Sequence, residues 1–394
     1  MRILHVISSL DPRAGGPPMV ISRLAAAQAG IGEDVHILCY AVASENGRDP
    51  NPDIDAKLNA IPHWSRVTQH RLAPADRKEW YLNSRAKSTL KSLLHDFDIV
   101  HVHGVWDPIL ATAAQAARHA GVPYVVAPHG MLDPWALSVK PWKKKLALAL
   151  RYGKMVHGAA MMQALSRYEH ECIAKLGFSG HIATIPNGVF LEEIDPLPER
   201  GAFAESFPAI KGRRMVTFLS RLHPVKGLDL LAEAFAKLAS KHSDVDLVIV
   251  GPDYGAQAAL EQQISALGIR SRVHLVGPMW GRERFKPVVD AACFCLPSEH
   301  EAFSVAICEA MACGAPVVIT HNCNLPEAQD ARAGLVIDRT VPALTAALDQ
   351  MLSDSNNARQ MGERARQLVL SQFTWPVVAS NSLEHYHRIQ GRQK

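Results

Sequence analysis

Glu301 and Glu309 stand out in the segment SEHEAFSVAICEAMACGAPVV, residues 298–318, because the rest of the stretch reads as a buried helix closed by Gly314. An ionised carboxylate has two acceptor oxygens, which suits the paired hydroxyls of a vicinal diol. The helix is expected to begin near Phe303, Ser304 and Val305. Free N–H groups at that end, together with the helix dipole, make an anion site suited to a phosphate. Glu309 lies roughly 7 Å along the axis from Ser304 at 1.5 Å per residue, within reach of hydroxyls beside such a phosphate. Glu301, in the loop, sits on the phosphate's other side. One glutamate for a ribose and one for a hexose is the chemistry this pairing allows. The spacing is met equally well by a Glu309 buried in an ion pair and a solvated Glu301.

Further residues could serve the same chemistry. FLSRLHPVKG, residues 218–227, follows an apolar run and supplies Arg221 and Lys226. Two cations in a loop are what a leaving diphosphate requires, although such residues are also ordinary surface charges. Gly15 and Gly16 precede the helical segment PMVISRLAAAQAG, where the missing side chains let backbone N–H groups approach a ligand closely. That turn lacks the G-x-G-x-x-G dinucleotide fingerprint. His129 in VVAPHGML ends a strand and projects beyond it. His101 and His103 in HVHG are expected on opposite sides of their strand and so unable to form a two-histidine metal site, with His103 nearer the strand end. Asn187 and Gly188 in IPNGV read as a turn. The triplets Asp53–Asp55 and Asp244–Asp246 read as solvated, so no metal is expected.

The elements that must hold these residues are legible in the alternation of short β-branched runs with longer segments of helical period. That pattern predicts parallel sheets covered by helices, an α/β fold with doubly wound halves. The chain has 394 residues, enough for two domains with separate cores. We expect a first domain over 1–195 and a second over 196–375, joined by the proline- and charge-rich stretch around 190–214, with a last helix, 376–394, crossing back to the first. In such sheets ligands bind outside the carboxyl ends of the strands, here in a cleft between the halves.

A hydrophobic fraction of 48% with 20% charged residues fits a globular protein and excludes a disordered or fibrous one. The net charge of +4 is too mild to suggest a nucleic-acid partner. Seven cysteines are scattered without C-x-x-C spacing, as expected of buried thiols in a reducing cytoplasm. MRILHVISSLDP reads as a first strand rather than a signal peptide. There is no apolar run of the about 18 residues needed to span a bilayer.

The 298–318 segment resembles the E-x7-E signature of the retaining GT-B glycosyltransferases of family 4, the bacterial surface-polysaccharide type. GGPPMVISRLA, HVHG, APHG, IPNGV, SRLHPVKGLDLL and VGP follow in the matching order, so the resemblance covers nearly the whole chain. It implies two Rossmann-like domains facing a cleft. It also implies transfer of a hexose from a GDP- or UDP-linked sugar to a hydroxyl of a glycan acceptor, with the α-linkage retained. By the same resemblance Arg221 and Lys226 clamp the donor diphosphate, and Glu301 holds sugar hydroxyls. Gly15 and Gly16 face the donor, His129 lies against the transferred sugar, and Gly277 belongs to the loop that meets the base. A sugar-nucleotide epimerase or hydrolase, and a non-catalytic nucleotide-sugar-binding subunit, are the alternatives. No cofactor is implied beyond the donor substrate.

HGMLDPWALSVKPWKKKLALALRYGK, residues 129–154, brings Trp135 and Trp142 together with Lys140, Lys143, Lys144 and Lys145. Trp142, Leu146, Ala149 and Leu150 fall on one face, predicting a basic amphipathic helix. Such a helix suits an anionic membrane surface, and a solvated lysine face explains it equally. With His103, the residues Trp135, Lys143 and Lys144 are the candidates for the acceptor side. The resemblance inclines this side toward a lipid-diphosphate-linked glycan at the cytoplasmic face of the plasma membrane.

Overall fold

The structure, a computed structural model, describes residues 1–44 and 49–391. It divides into two compact units. The first comprises Met1–Asn187 with the helix Trp375–Gly391, and the second Gly188–Thr374.

In the first unit the strands are β1 (Arg2–Val6), β2 (Asp34–Tyr40), β3 (Thr68–Leu72), β4 (Ile99–His103), β5 (Tyr124–Ala127), β6 (Met161–Ala164) and β7 (His181–Thr184). They form one parallel sheet in the order β3-β2-β1-β4-β5-β6-β7. The second unit contains β8 (Arg214–Leu219), β9 (Val245–Val250), β10 (Val273–Gly277), β11 (Cys293–Leu296), β12 (Val317–Thr320) and β13 (Gly334–Ile337). Its parallel order is β10-β9-β8-β11-β12-β13. Parallel strands joined by helical crossovers are covered on both faces, which is why their sequences are apolar runs rather than alternating ones. Chain order reverses between β1 and β4 in one sheet and between β8 and β11 in the other. These are the places where doubly wound sheets open a crevice for ligands.

Residues 190–214, expected as a linker, pack into the second unit instead. Ile194, Phe203 and Ile210 are buried in its core, and the Asp290 carboxylate accepts from the Gly201 and Phe203 N–H groups at 2.7 and 3.2 Å. The apolar residues spaced among the prolines and charges have enough surface to dock the segment. The last helix, Trp375–Gly391, belongs to the first unit, where it lies along Gly16–Gly30. Residues 392–394 of the expected helix lie outside the described residues.

The basic segment is not one helix. It runs as Pro134–Ser138, Pro141–Ala147, a π-helical turn Leu148–Tyr152 and Gly153–His157. Lys140 breaks it with φ of 54°, because the following Pro141 disfavours a helical residue before it. All seven cysteines are free and buried. No helix among the described residues is long and apolar enough to cross a membrane.

Candidate functional site

In the second unit the chemistry gathers behind β8 and β11. β11 ends at Leu296, and the chain runs through Ser298 and Glu301 to the helix Val305–Ala312. Ser304 starts that helix without a side-chain cap. Its first internal bond runs from the Cys308 N–H to the Ser304 carbonyl, which leaves the N–H groups before Cys308 without helical partners. Phe303 turns its ring toward Phe373, 5.9 Å between centroids, so its backbone rather than its side chain is what it can offer a ligand. The opposite end of the helix is closed: Arg366 donates to the Ala312 carbonyl and to Asp195 at 2.8 Å.

Glu301 is not solvated. Only 9% exposed, it accepts from Lys226 Nζ at 2.5 Å and from Ser298 Oγ at 2.7 Å. The backbone around it is held too, since its N–H donates to the Asn322 carbonyl and its own carbonyl accepts from Asn324 Nδ2 at 2.6 Å. Lys226 reaches this position because Gly227 adopts φ of 70° and passes so close to β11 that a Cβ there would stand 2.1 Å from the Pro297 carbonyl oxygen. No other residue fits that crossing. Arg221 remains exposed, its guanidinium 5.1 Å from the centre of the Tyr254 ring. Leu222 pairs with Asp253 in an isolated bridge that fixes the Arg221 loop against the end of β9. Gly277 ends β10, and its carbonyl accepts from the Gly251 N–H at 2.9 Å.

Glu309 is half-buried and paired, with Arg284 Nη2 donating to it at 2.8 Å. Arg284 also lies over Phe285. Burial works against its charge, but Glu309 beside it more than offsets this and raises its pKa. The spacing that put Glu309 on the inner face was compatible with this pairing, but nothing in GRERFKP singles out Arg284 over Arg282. Asp246, expected to be solvated, is buried among Arg213, Arg272 and His274 at 2.7 to 2.9 Å. Its position in β9 turns it inward. Burial alone would raise its pKa, yet the three cationic or polar partners hold its carboxyl below the usual range.

The first unit assembles a different kind of centre. His5 on β1 is the register partner of His101 on β4, and His101 and His103 lie on the same face, 4.0 Å between ring centroids. The expectation of opposite faces is therefore wrong, because strand side chains alternate with a period of two, so residues two apart point the same way. His5 Nδ1 meets His103 Nε2 at 2.9 Å, and His103 Nδ1 meets His129 Nε2 at 3.1 Å. With both ring nitrogens engaged inside the unit, His103 has none to offer an acceptor. His5 Nε2 lies 2.7 Å from Gln28 Oε1, and His101 Nδ1 lies 2.7 Å from Tyr386 Oη. Nitrogens of His5, His101 and His103 come within 4.8 Å of one another. Burial holds His5 and His129 down to about 4 and His101 and His103 well below the usual imidazole value, so all four rings are neutral at ordinary pH.

His129 follows β5 with φ of 54°, a left-handed conformation uncommon outside glycine and found at functional sites. Glu169 helps to hold it there. This buried carboxylate accepts from the Gly130 N–H at 2.5 Å and the Leu165 N–H at 2.7 Å. Burial pushes Glu169 up to about 7 against the pull of those donors. Ser166 caps Arg167–Lys175 by accepting from the Glu169 N–H, a signal present in SRYE that sequence reading passed over. Gly15 has φ of 116° and starts the helix Gly16–Gly30, while Pro17 and Pro18 remove two first-turn donors and leave Gly16 the more available backbone. Trp135 is exposed, Lys143 lies over Trp142, and Lys144 donates to the Ala136 carbonyl and lies over Trp106.

Comparison with known proteins places both units. Residues 14–193 match the model described as Glycosyltransferase Family 4, and residues 200–368 the model described as Glycosyl transferases group 1. The chain is 31% identical to the GDP-mannose-dependent alpha-(1-6)-phosphatidylinositol monomannoside mannosyltransferase of Mycolicibacterium smegmatis, over 73% of this chain and 76% of that one. It is 27% identical to the MMP alpha-(1->4)-mannosyltransferase of Mycolicibacterium hassiacum, over 100% and 99%. Among solved structures, HepE of Anabaena in complex with UDP and glucose superposes with a TM-score of 0.74 at 19% identity, over 98% of this chain and 100% of that one. The last is a likeness of fold.

Proposed function

Because the chain belongs to glycosyltransferase family 4, we propose that it moves a hexose from a nucleotide diphosphate sugar to a glycan hydroxyl with retention of the α-linkage. The observation that carries this reading is the Lys226–Glu301 pair beside the uncapped helix Val305–Ala312. A buried pair of this kind is costly to break unless each partner gains another. A donor supplies both replacements. Its diphosphate takes Lys226, Arg221 and the helix N–H groups, and its sugar hydroxyls take the released Glu301 carboxylate, which Ser298 continues to orient. Charge growing on the departing phosphate is then met by donors already in place. Glu309 serves the ribose by exchanging part of its bond to Arg284.

Retention follows from same-face departure and attack, in which the glycosidic C–O bond to the phosphate breaks, the acceptor oxygen bonds to the anomeric carbon, and the acceptor's proton passes to the leaving phosphate. His129 orients the sugar. The relatives named for GDP-mannose make GDP-mannose the first donor to test, with UDP-glucose second.

The exposed face of residues 134–157 supports a lipid-linked acceptor at an anionic membrane. Trp142 and Leu150 are 66% and 73% exposed among Lys143, Lys144 and Lys145, the composition of a surface that inserts aromatic and aliphatic side chains between anionic headgroups.

Thermal shift with GDP, UDP, GDP-mannose and UDP-glucose identifies the donor, since a ligand that binds the native state raises Tm by mass action. Transfer is then followed with that donor and a lipid extract. Glu309→Ala is expected to weaken donor binding and Glu301→Ala chiefly to lower turnover. Unchanged affinity and turnover in both variants would strip the two glutamates of these roles.

A further inference from the structure

Hydrogen bonds connect the backbone of Trp375–Gly391 to His129 through a continuous file of buried side chains, and the direction of the bond at one end sets that of the next. Ser382 Oγ donates to the Ala379 carbonyl at 2.6 Å, so its oxygen can only accept from Gln28, whose amide nitrogen lies at 2.9 Å. The Gln28 oxygen therefore faces His5 and accepts from Nε2–H at 2.7 Å. A neutral ring protonated on Nε2 has a bare Nδ1, and that of His5 accepts from His103 Nε2–H at 2.9 Å. The bare Nδ1 of His103 in turn accepts from His129 Nε2–H at 3.1 Å. The Nδ1 of His129 is left carrying a lone pair, with no partner among the described residues.

We infer that Gln28, His5 and His103 are positioning residues that lock His129 in its Nε2–H tautomer and so present Nδ1 as a neutral hydrogen-bond acceptor to a substrate hydroxyl. Were the Gln28 amide reversed, every proton in the file would move to the other nitrogen and His129 would present a donor instead. Ser382 opposes this, together with Tyr386 Oη, which accepts from the same amide nitrogen at 3.4 Å. A second proton on His5 or His103 would place two N–H groups face to face, in keeping with the lowered pKa values of both rings. His101, tilted against His103 with ring centroids 4.0 Å apart and bonded to Tyr386, walls the file without joining it. That the acceptor nitrogen meets a sugar rests on the proposed transferase reading, whereas the tautomer itself does not.

The test is long-range 1H–15N correlation of the imidazole rings in the uniformly labelled protein without substrate, assigned with single histidine variants. The expected result is a neutral Nε2–H ring for His5, His103 and His129 between pH 6 and 8. Gln28→Leu and Ser382→Ala should each populate the Nδ1–H form of His129, whereas Gln28→Glu, which keeps an acceptor for His5, should restore the wild-type pattern. With an identified donor, Gln28→Leu should lower kcat about tenfold with KM little changed, the loss of one oriented hydrogen bond. An Nδ1–H His129 in the wild type, or a tautomer indifferent to Gln28 in folded variants, overturns the inference. So does stoichiometric zinc in the purified protein, because an ion would occupy the nitrogens of His5 and His103 that must share a proton. The spectra need no activity, so they can fail or hold whether or not glycosyl transfer is found.

Discussion

One cluster in each unit solves the problem of buried polarity, and the two do so in opposite ways. Around β8 and β11 the second unit keeps full charges and neutralises them in pairs, Lys226 with Glu301, Arg284 with Glu309, and Asp246 with its three partners. The histidine cluster of the first unit carries none, and its four rings stay neutral and are ordered by hydrogen bonds alone. The contrast separates what the two regions are fit to do. Paired charges can be exchanged for those of an anionic ligand, whereas a neutral file holds a direction and resists any added charge.

Acid should separate them most strongly. His5 and His129 titrate near 4 when folded, against about 6.5 in the unfolded chain. As pH falls from about 6.5 to about 4, the unfolded state therefore binds protons that the folded state refuses, and stability is lost at about 1.4 kcal/mol per unit for each such ring. The carboxylates of the second unit work at lower pH. Asp244 is held down to about 2 and Asp246 below its usual value, so their contribution is present above about 4 and lost only below it. Hydrogen exchange read by mass spectrometry should show β1 and β4 losing protection near pH 5 while β8 and β9 keep theirs. Simultaneous loss would erase the contrast.

A smaller effect is expected from breaking one charge pair. Lys226→Ala leaves the Glu301 carboxylate buried with only Ser298, at a cost of about 3 kcal/mol, and the double variant with Glu301→Ala should recover part of it. Urea unfolding measures both. If the double variant is no more stable than the single one, the pair is not acting as a unit.

Glu169, a buried carboxyl of the first unit, has a pH dependence of the reverse sign. Its folded pKa of about 7 lies above the 4.5 of a free glutamate. Between those values the folded state keeps a proton that the unfolded state has released, so this group's stabilising contribution is lost as pH rises through the interval. Relative to wild type, Glu169→Gln should gain about 3 kcal/mol between pH 4.5 and 7.5, and a difference independent of pH would count against a protonated Glu169.

The smallest change in stability is expected where neither device operates. Trp142→Ala, on the exposed basic face, should alter unfolding by less than about 0.5 kcal/mol, yet weaken sedimentation with vesicles containing phosphatidylserine. Equal binding by the variant would argue that Trp142 does not enter the membrane.

Much of this arrangement was legible in the sequence because it is local. The strand runs, the loop before Val305–Ala312 and the Lys-Gly turn after β8 each lie within a few consecutive residues. What escaped depends on contacts between distant segments. His5 and Gln28 carry no signal of their own until β1 is laid beside β4 and Trp375–Gly391 returns to Gly16–Gly30. The pairing of Arg284 with Glu309 likewise depends on how residues 281–285 dock. The error at His101 and His103 had another source, since strand periodicity already placed them on one face. Asp246 was misread together with Asp244, which is exposed just ahead of the strand; the Arg213, Arg272 and His274 side chains that enclose Asp246 arrive from other segments.

The position of Ser382 also governs when the first unit can mature. On a translating ribosome, every strand of both sheets emerges before this serine does. Until it arrives, nothing dictates which way the Gln28 amide turns, so the nascent N-terminal half can close its sheet while the proton arrangement beneath His129 is still undecided.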